Sequence, residues 1–267
     1  MIADKYDALQ VRLKELGSVL VAYSGGIDST LLAFVAHATL GRDCKAVLAV
    51  SDTCSESEAE AARVLGKELG LTLIEVETNE LADPRFAENT PDRCYYCKSE
   101  LFGLLSHVAQ AQGLACVVDG ANADDLSDHR PGSRATAELG VFSPLQEVGL
   151  TKDEIRTLAR DLGLPNWDKP SMACLASRFP YGTAITDDGL ARVAAAEKAL
   201  RELGLSQFRV RAHGDVARIE VAPPEMEHAW SLRESLARGV RDAGFAFVAL
   251  DLEGYHTGSL NRVLGDA

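Results

Sequence analysis

The chain has 267 residues, of which 46% are hydrophobic and 25% are charged, and its net charge at pH 7 is −13. This length and composition are typical of a globular protein with one large domain or two smaller ones. The negative charge disfavours a broad nucleic-acid-binding surface, because such a surface needs many cationic contacts with phosphates. The sequence has neither an apolar run that could span a bilayer nor the apolar core of a signal peptide near Met1, so we expect a cytoplasmic protein without membrane contact.

Predicted helices and strands alternate along the first part of the chain. A short amphipathic helix is predicted at residues 5–16, and apolar runs predict strands at 19–23, 45–51, 71–76 and 115–119. Helices are predicted to begin near residue 27, within residues 52–58, at residue 99 after an irregular stretch, and at the capping box of Thr151 and Glu154. This order predicts an α/β fold, a parallel sheet with helices on both faces.

The stretch after the first strand is the most informative one. Ser24-Gly-Gly-Ile-Asp-Ser29 places Gly25 and Gly26 between a buried strand and a helix that contains Asp28. The N–H groups of a first helical turn bind anions, and glycines let the backbone approach a phosphate closely. A Walker A lysine and the third glycine of a dinucleotide-binding motif are both missing. We therefore predict a phosphate-binding loop of another kind.

A second polar loop follows a later strand. Asp119-Gly-Ala-Asn-Ala-Asp-Asp125 comes at the carboxyl end of the strand at 115–119, which is the sheet edge where ligands of α/β proteins bind. Asp28 or Asp125 could hold a Mg²⁺ ion, and a helix-capping role is the alternative for Asp28.

The pattern changes near Tyr181. We predict a domain boundary there, with a first domain at 1–180 and a small α+β domain at 181–267. The predicted order in the second is a helix at 187–203, strands at 207–211 and 216–221, a helix at 225–243 and a strand at 245–251, with a mostly antiparallel sheet.

Three of the six cysteines fall in two unusual polar segments. Cys94 and Cys97 form a Cys-x-x-Cys pair, and Cys174 comes much later. The pair could be a redox couple, half of a zinc site completed by a histidine (His107, His129 or His256), or part of an iron–sulfur ligand set. Cys44 and Cys116 lie beside or in apolar strands and are interpreted as buried thiols, whereas the role of Cys54 stays open.

Together, five segments resemble the LarE family of sulfur transferases, which belong to the PP-loop ATP pyrophosphatases. They are Ser24–Ser29, Arg93-Cys-Tyr-Tyr-Cys-Lys98, Asp119–Asp125, Cys174-Leu-Ala-Ser-Arg178 and Gly254-Tyr-His-Thr-Gly-Ser-Leu-Asn261. The resemblance covers nearly the whole chain. It differs at His256, where many members of the family have arginine.

The resemblance implies an enzyme of nickel-pincer nucleotide biosynthesis. Such an enzyme uses ATP to adenylate a carboxylate of pyridinium-3,5-biscarboxylic acid mononucleotide, releases pyrophosphate and then AMP, and forms a thiocarboxylate. It implies ATP and Mg²⁺ at the loop and Asp125, and binding of the substrate phosphate by Ser177, Arg178, Arg209 and Arg211. The three-cysteine type carries a 4Fe–4S cluster with a labile sulfide on Cys94, Cys97 and Cys174; other members sacrifice the sulfur of the single cysteine that matches Cys174. A homo-hexamer is also implied.

Three other functions compete with this one. A tRNA thiolase of the same fold is disfavoured by the net charge of −13. An amidating enzyme such as an NAD or GMP synthetase gives no role to three cysteines in polar segments. A zinc-stabilised binding module would contain zinc without iron.

Overall fold

The computed structural model describes residues 1–127, 131–170, 173–256, 258–259 and 262. The strands are β1 Val19–Tyr23, β2 Cys44–Val50, β3 Leu73–Glu77, β4 Cys116–Val118, β5 Phe208–His213, β6 Val216–Val221 and β7 Phe247–Leu250. The helices are α1 Ile2–Leu16, α2 Ile27–Leu40, α3 Glu56–Glu68, α4 Pro84–Ala87, α5 Arg93–Ala111, α6 Pro131–Glu138, α7 Pro144–Glu147, α8 Lys152–Asp161, α9 Asp187–Glu202, α10 Met226–Ser231 and α11 Arg233–Asp242. In this part of the chain no helix is long and apolar enough to cross a membrane.

The chain forms two compact units. The first consists of residues 1–80 and 92–172, and the second consists of residues 81–91 and 173–267. The second unit is therefore built from two separate pieces of the chain, and the shorter piece contains α4.

The first unit contains a four-stranded parallel sheet in the order β3-β2-β1-β4. Val21 of β1 lies opposite Ala46 of β2 on one side and Val118 of β4 on the other. Because the strands are parallel, all four carboxyl ends meet at one edge, where the loops after β1 and β4 begin. The predicted parallel α/β fold is confirmed.

Side chains on the two faces of this sheet enter two separate cores. Val19 and Val21 of β1 pack in the larger core with residues of α1, α2 and α8, whereas Leu20 packs with Phe102 and Leu105 of α5. Alternate residues of a strand point to opposite faces, so β1 contributes to both cores. Helices thus cover both faces of the sheet, as predicted.

The cysteine pair lies on a helix, which the sequence analysis did not predict. We expected residues 89–98 to be irregular, but α5 begins at Arg93 and includes Cys94 and Cys97 in its first two turns. Cysteine and tyrosine have modest helix propensity, so the helical conformation of this segment depends on its packing. Gly132 of α6 comes so close that an added Cβ would lie 2.6 Å from Cδ of Lys98 and 3.4 Å from the Cys94 carbonyl oxygen.

The second unit contains a three-stranded sheet in the order β5-β6-β7. β5 and β6 form the predicted antiparallel hairpin, in which His213 pairs with Val216 and Gly214 has a φ of +62°. β7 pairs with β6 in parallel, so the prediction of a mostly antiparallel sheet is wrong for this strand. The intervening helical segment carries the chain back across the sheet, and a crossover of that length permits parallel pairing.

The predicted helix at 225–243 is divided into two. α10 ends at Ser231 and α11 begins at Arg233. Only Ala229 of α10 is buried, whereas Leu236 and Val240 anchor α11 against the unit. The two segments therefore bury different amounts of apolar surface.

Candidate functional site

The phosphate-binding loop connects β1 to α2 and is held by its own hydroxyl groups. The Ser29 hydroxyl accepts a hydrogen bond from the Ser24 backbone N–H (3.1 Å) and donates one to the Gly26 carbonyl (3.1 Å). Gly26 is the N-cap of α2, so the capping role considered for Asp28 is not observed. The first N–H groups of a helix have no partner within the helix, and they are therefore available to an anion.

Two glycines are required by close approaches around this loop. A Cβ on Gly25, whose φ is +70°, would lie 2.7 Å from the Cβ of Ala62 in α3. A Cβ on Gly120, which follows β4, would lie 2.9 Å from the backbone nitrogen of Ser29. Real Cβ atoms do not approach this closely, so both contacts depend on glycine. The loop after β4 therefore packs directly against the first turn of α2.

Asp28 and Asp125 are joined by one asparagine. The Asn122 side chain donates to Oδ1 of Asp28 (3.3 Å), and the Asn122 backbone N–H donates to Oδ2 of Asp125 (3.0 Å). Both carboxylates therefore lie at the carboxyl edge of the sheet, beside the loop. Carboxylate oxygens are the ligands that Mg²⁺ prefers, so the donor chemistry fits the predicted metal ion.

Lysines surround this edge, and sequence analysis assigned them no role. The Lys152 ammonium group forms an ion pair with Asp28. The Lys169 ammonium group lies 2.8 Å from Glu58, and that of Lys98 lies 3.8 Å from Asp119. Lys152 is the first residue after the capping threonine of α8. α8 packs against α2, the helix that carries Asp28.

The two cysteines of the Cys-x-x-Cys pair lie on one side of a helix. Cys94 and Cys97 are three residues apart in α5, a spacing that places Cβ atoms about 5–6 Å apart. Cys94 is exposed and Cys97 is half-buried. Thiolates at such spacing can share an iron–sulfur cluster, so the pair fits that cofactor in donor type and accessibility. Within the described residues, no group of three or more histidine, cysteine, aspartate or glutamate side chains is arranged to hold a metal ion.

Cys174 lies in the second unit, immediately before a short 3₁₀ turn at Leu175–Arg178. It is exposed, and its carbonyl oxygen accepts hydrogen bonds from the Ser177 hydroxyl (2.7 Å) and from the Ser177 backbone N–H (3.0 Å). The predicted phosphate-binding serine thus shapes the turn that carries the cysteine.

Arg178 of the second unit is buried and makes several hydrogen bonds. It is only 1% exposed, and its Nε and Nη2 donate to the two carboxylate oxygens of Glu197 at 2.7 and 3.0 Å. Its Nη1 donates to the carbonyl oxygens of Ala173 (2.8 Å) and Cys174 (3.2 Å). The guanidinium therefore holds the backbone at Cys174 in place.

Arg209 and Arg211 lie on β5 and are both buried, so this strand does not present a solvated face. Arg211 donates to Glu220 through Nε (2.9 Å) and Nη2 (2.7 Å), and its Nη1 donates to the Ser177 carbonyl oxygen. The Arg209 guanidinium stacks 4.8 Å from the centroid of the Tyr255 ring. Burial, with help from nearby Arg178, lowers the pKa of Arg209.

These contacts link Ser177, Arg178 and Arg211 in one network, and Arg209 lies beside it on the same strand as Arg211. The anions next to these arginines are the buried carboxylates of Glu197 and Glu220, and Arg218 also contacts Glu220 at 2.9 Å. Sequence analysis missed both glutamates. A usable signal was present for Glu197, because it lies four residues after Val193 and three before Leu200 on the apolar stripe of α9.

The remaining candidates lie outside these clusters. The His256 ring is exposed, and its Nε2 lies 3.0 Å from the Glu253 carbonyl oxygen. Nδ1 of His107 lies 2.8 Å from the Gly103 carbonyl oxygen of its own helix. His129, and Thr257, Leu260 and Asn261 of the last motif, lie outside the described residues. Cys44 is buried as expected, whereas Cys116 is half-buried. Burial raises the pKa of Cys44 to about 12 and also raises that of Cys116.

Comparison with known proteins places these features in a family. The NAD synthase family model matches residues 2–93, which include the phosphate-binding loop. Over its full length the chain is 41% identical to the pyridinium-3,5-bisthiocarboxylic acid mononucleotide synthase of Lactiplantibacillus plantarum, and the match covers 97% of that protein. The chain belongs to the LarE family of these synthases.

The chain is also similar to proteins other than this LarE synthase. An uncharacterized protein of Synechocystis sp. is 46% identical over 99% of both chains. A glutamine-hydrolyzing GMP synthase of Shewanella baltica is 28% identical over 60% of this chain and 34% of its own length. As a LarE-family protein with a PP-loop, the chain is an ATP-dependent enzyme.

Proposed function

We propose that this enzyme is a sulfur transferase that adenylates a carboxylate of pyridinium-3,5-biscarboxylic acid mononucleotide and converts it to a thiocarboxylate. The full-length similarity to a synthase of the bisthiocarboxylic acid mononucleotide carries this proposal. We also propose that it acts in the cytoplasm. The net charge of −13 favours a small-molecule substrate over RNA.

The phosphate-binding loop supports the first half-reaction. A carboxylate oxygen attacks the α-phosphorus of ATP, the bond to the β-phosphate oxygen breaks, and pyrophosphate leaves with the electron pair. Ser24, Gly25, Gly26 and Ser29 would bind the leaving pyrophosphate through N–H and hydroxyl groups. Negative charge grows on the leaving group, and donors already fixed in place stabilise it. Mg²⁺ held by Asp28 or Asp125 would neutralise the same charge.

The second half-reaction replaces AMP with sulfur. A sulfide or thiolate attacks the acyl carbon of the adenylate, and the C–O bond to AMP breaks. AMP is a far better leaving group than the oxide of the original carboxylate. Ser177, Arg178, Arg209 and Arg211 would bind the phosphate of the substrate nucleotide, supported by the cationic excess of their network.

The cysteines suggest the sulfur source. We infer that Cys94, Cys97 and Cys174 would together hold a 4Fe–4S cluster, and that this cluster would supply the sulfide that is transferred. Two exposed thiols and one half-buried thiol are accessible enough for such a cluster. The competing proposal is that Cys174 gives up its own sulfur and becomes dehydroalanine. We also propose a homo-oligomer, with a hexamer expected from the family.

Product analysis tests the adenylation step. With the biscarboxylic acid mononucleotide as substrate, ATP should give AMP and pyrophosphate, and ADP as the main product would contradict the assignment. Ser29→Ala should slow pyrophosphate release, because it removes the hydroxyl that ties Ser24 to Gly26. Ser106→Ala is the matched control, since that hydroxyl donates to the Phe102 carbonyl within α5.

Metal analysis and intact mass test the sulfur source. Anaerobically purified enzyme should contain iron and acid-labile sulfide, and each of Cys94→Ala, Cys97→Ala and Cys174→Ala should lose both while adenylation continues. An enzyme without iron whose mass falls by one H₂S after turnover, with the loss confined to Cys174, would instead support sacrifice of that cysteine.

A further inference from the structure

Gly25 and Gly26 share a peptide bond whose orientation decides whether the loop attracts or repels an anion. A peptide group is planar and trans, so its C=O and N–H point in opposite directions. If the Gly26 N–H faces the phosphate, the Gly25 carbonyl must point into the protein. If the peptide turns over, a carbonyl oxygen faces the phosphate instead. Glycine adopts either sign of φ readily, so the glycine pair offers little resistance to this rotation.

A buried asparagine holds the Gly25 carbonyl on the protein side. Nδ2 of Asn166 donates to this carbonyl oxygen at 3.2 Å, and Nζ of Lys169 lies 3.5 Å from the same oxygen. On the opposite side of the peptide, the Gly26 N–H donates a long hydrogen bond, 3.4 Å, to the hydroxyl of Ser24, which is exposed. The N–H is therefore turned toward the open side of the loop.

Asn166 is itself fixed to the helix that follows the loop. The residue is 8% exposed, and its Nδ2 also donates to Oγ1 of Thr30 at 3.1 Å. Thr30 is fully buried in α2. The two hydrogens of the amide therefore connect the loop to the first turns of α2.

The oxygen of the same amide suggests that this arrangement serves a function. Oδ1 of Asn166 is buried and has no hydrogen-bond partner among the described residues. Leaving a buried acceptor unsatisfied is unfavourable, and such groups in native proteins call for an explanation. Here the amide nitrogen donates to the Gly25 carbonyl and the Thr30 hydroxyl, although the amide oxygen has no hydrogen bond within the described part of the chain.

We propose that Asn166 is a positioning residue that keeps the Gly25–Gly26 peptide oriented for pyrophosphate binding. This inference rests on the proposed function, because it assigns Asn166 to the binding of the pyrophosphate that the reaction releases. Asn166 acts through the loop backbone and needs no contact with the ligand.

Asn166→Asp provides the sharpest test, because it keeps the shape of the side chain and removes both of its donor hydrogens. An ionised aspartate has no hydrogen to donate and repels the Gly25 carbonyl, so the peptide should turn over or fluctuate. In calorimetric titrations with magnesium pyrophosphate at pH 8, we expect binding about 10- to 100-fold weaker than that of the wild type. Asn166→Leu, which also lacks the two donors, should show a comparable loss.

The kinetics should separate positioning from general damage. With ATP and the mononucleotide substrate, Asn166→Asp should raise the KM for ATP and lower kcat, because the pyrophosphate group is bound in the ground state and more strongly in the transition state, where its negative charge grows. Asn166→Ser keeps a small polar side chain that cannot reach Gly25. It replaces the other variants in these measurements if they fold poorly.

Asn89→Asp is the matched control. Asn89 is also fully buried, and its Nδ2 also donates to carbonyl oxygens, those of Pro180 (2.8 Å) and Thr183 (3.0 Å) in the second unit. We expect the same substitution there to lower the melting temperature without changing the pyrophosphate affinity of the folded protein.

The outcomes are distinguishable. Wild-type affinity in folded Asn166→Asp and Asn166→Ser would overturn the positioning role while leaving sulfur transfer untouched. Wild-type affinity in folded Asn166→Leu would also overturn it, because leucine cannot donate to the Gly25 carbonyl. A wild-type enzyme that neither binds pyrophosphate nor forms AMP would instead overturn the proposed function.

Discussion

The ion pair between Arg178 and Glu197 allows a quantitative prediction. Their side chains are 1% and 5% exposed, and two hydrogen bonds join them. Removing one partner of such a pair leaves an uncompensated buried charge, which typically costs about 3–5 kcal/mol. For a protein of this size we therefore expect Arg178→Met or Glu197→Leu to lower the melting temperature by roughly 10 °C.

The double variant distinguishes loss of the pair from loss of volume. Arg178→Met combined with Glu197→Leu removes both charges and leaves two apolar side chains of similar size. We expect it to be more stable than either single variant, because neither charge remains buried alone. Scanning calorimetry measures all three. Arg160→Met is the control, since Arg160 and its partner Asp161 are more than half exposed and such pairs contribute little.

The same substitution should also loosen the turn that carries Cys174. Arg178 binds the carbonyl oxygens of Ala173 and Cys174, and the Ser177 N–H is protected by a hydrogen bond to the Cys174 carbonyl. Hydrogen–deuterium exchange should therefore accelerate at Ser177 in Arg178→Met. Single variants that melt with the wild type, or a double variant whose loss equals the sum of the single losses, would refute this reasoning.

Three further predictions concern the first unit. Lys152→Met should raise the KM for ATP in steady-state assays, because it removes the cation paired with the Asp28 carboxylate beside the phosphate-binding loop; an unchanged KM would show that Lys152 acts only in packing. Gly120→Ala should weaken pyrophosphate binding in calorimetry, since the new Cβ would lie 2.9 Å from the Ser29 nitrogen, and wild-type affinity would contradict this. In protein stripped of iron, iodoacetamide at pH 8 should label exposed Cys94 quickly and Cys44 hardly at all, because burial raises the Cys44 pKa to about 12; mass spectrometry of the peptides checks the order.

The parts of the fold that follow from hydrophobic periodicity could be predicted from sequence. β1 is bounded at Val19 and Tyr23 as expected, and the capping box of Thr151 and Glu154 forms. These features depend on local patterns: an apolar run followed by a glycine turn, and a threonine with glutamate three residues later.

What could not be predicted depends on contacts between distant segments. Gly132 packs closely against the first turns of α5, which begins at Arg93, and the parallel pairing of β7 follows from the path of the chain across the sheet. The roles of the predicted site residues stay proposals. The structure adds the partners that sequence reasoning missed, such as Asn122 between Asp28 and Asp125, and Glu197 beneath Arg178.

Because the second unit is built from two pieces of the chain, it is difficult to exchange this unit between related proteins. Residues 81–91 belong to that unit, and within it Phe86 is buried and Asn89 holds three carbonyl oxygens of residues 179–183. A chimera made by a single crossover near residue 173 would combine the long piece of one parent with the short piece of the other. Transplanting the unit intact requires three junctions, so recombination between divergent members of this lineage should rarely yield a well-packed hybrid unless both pieces move together.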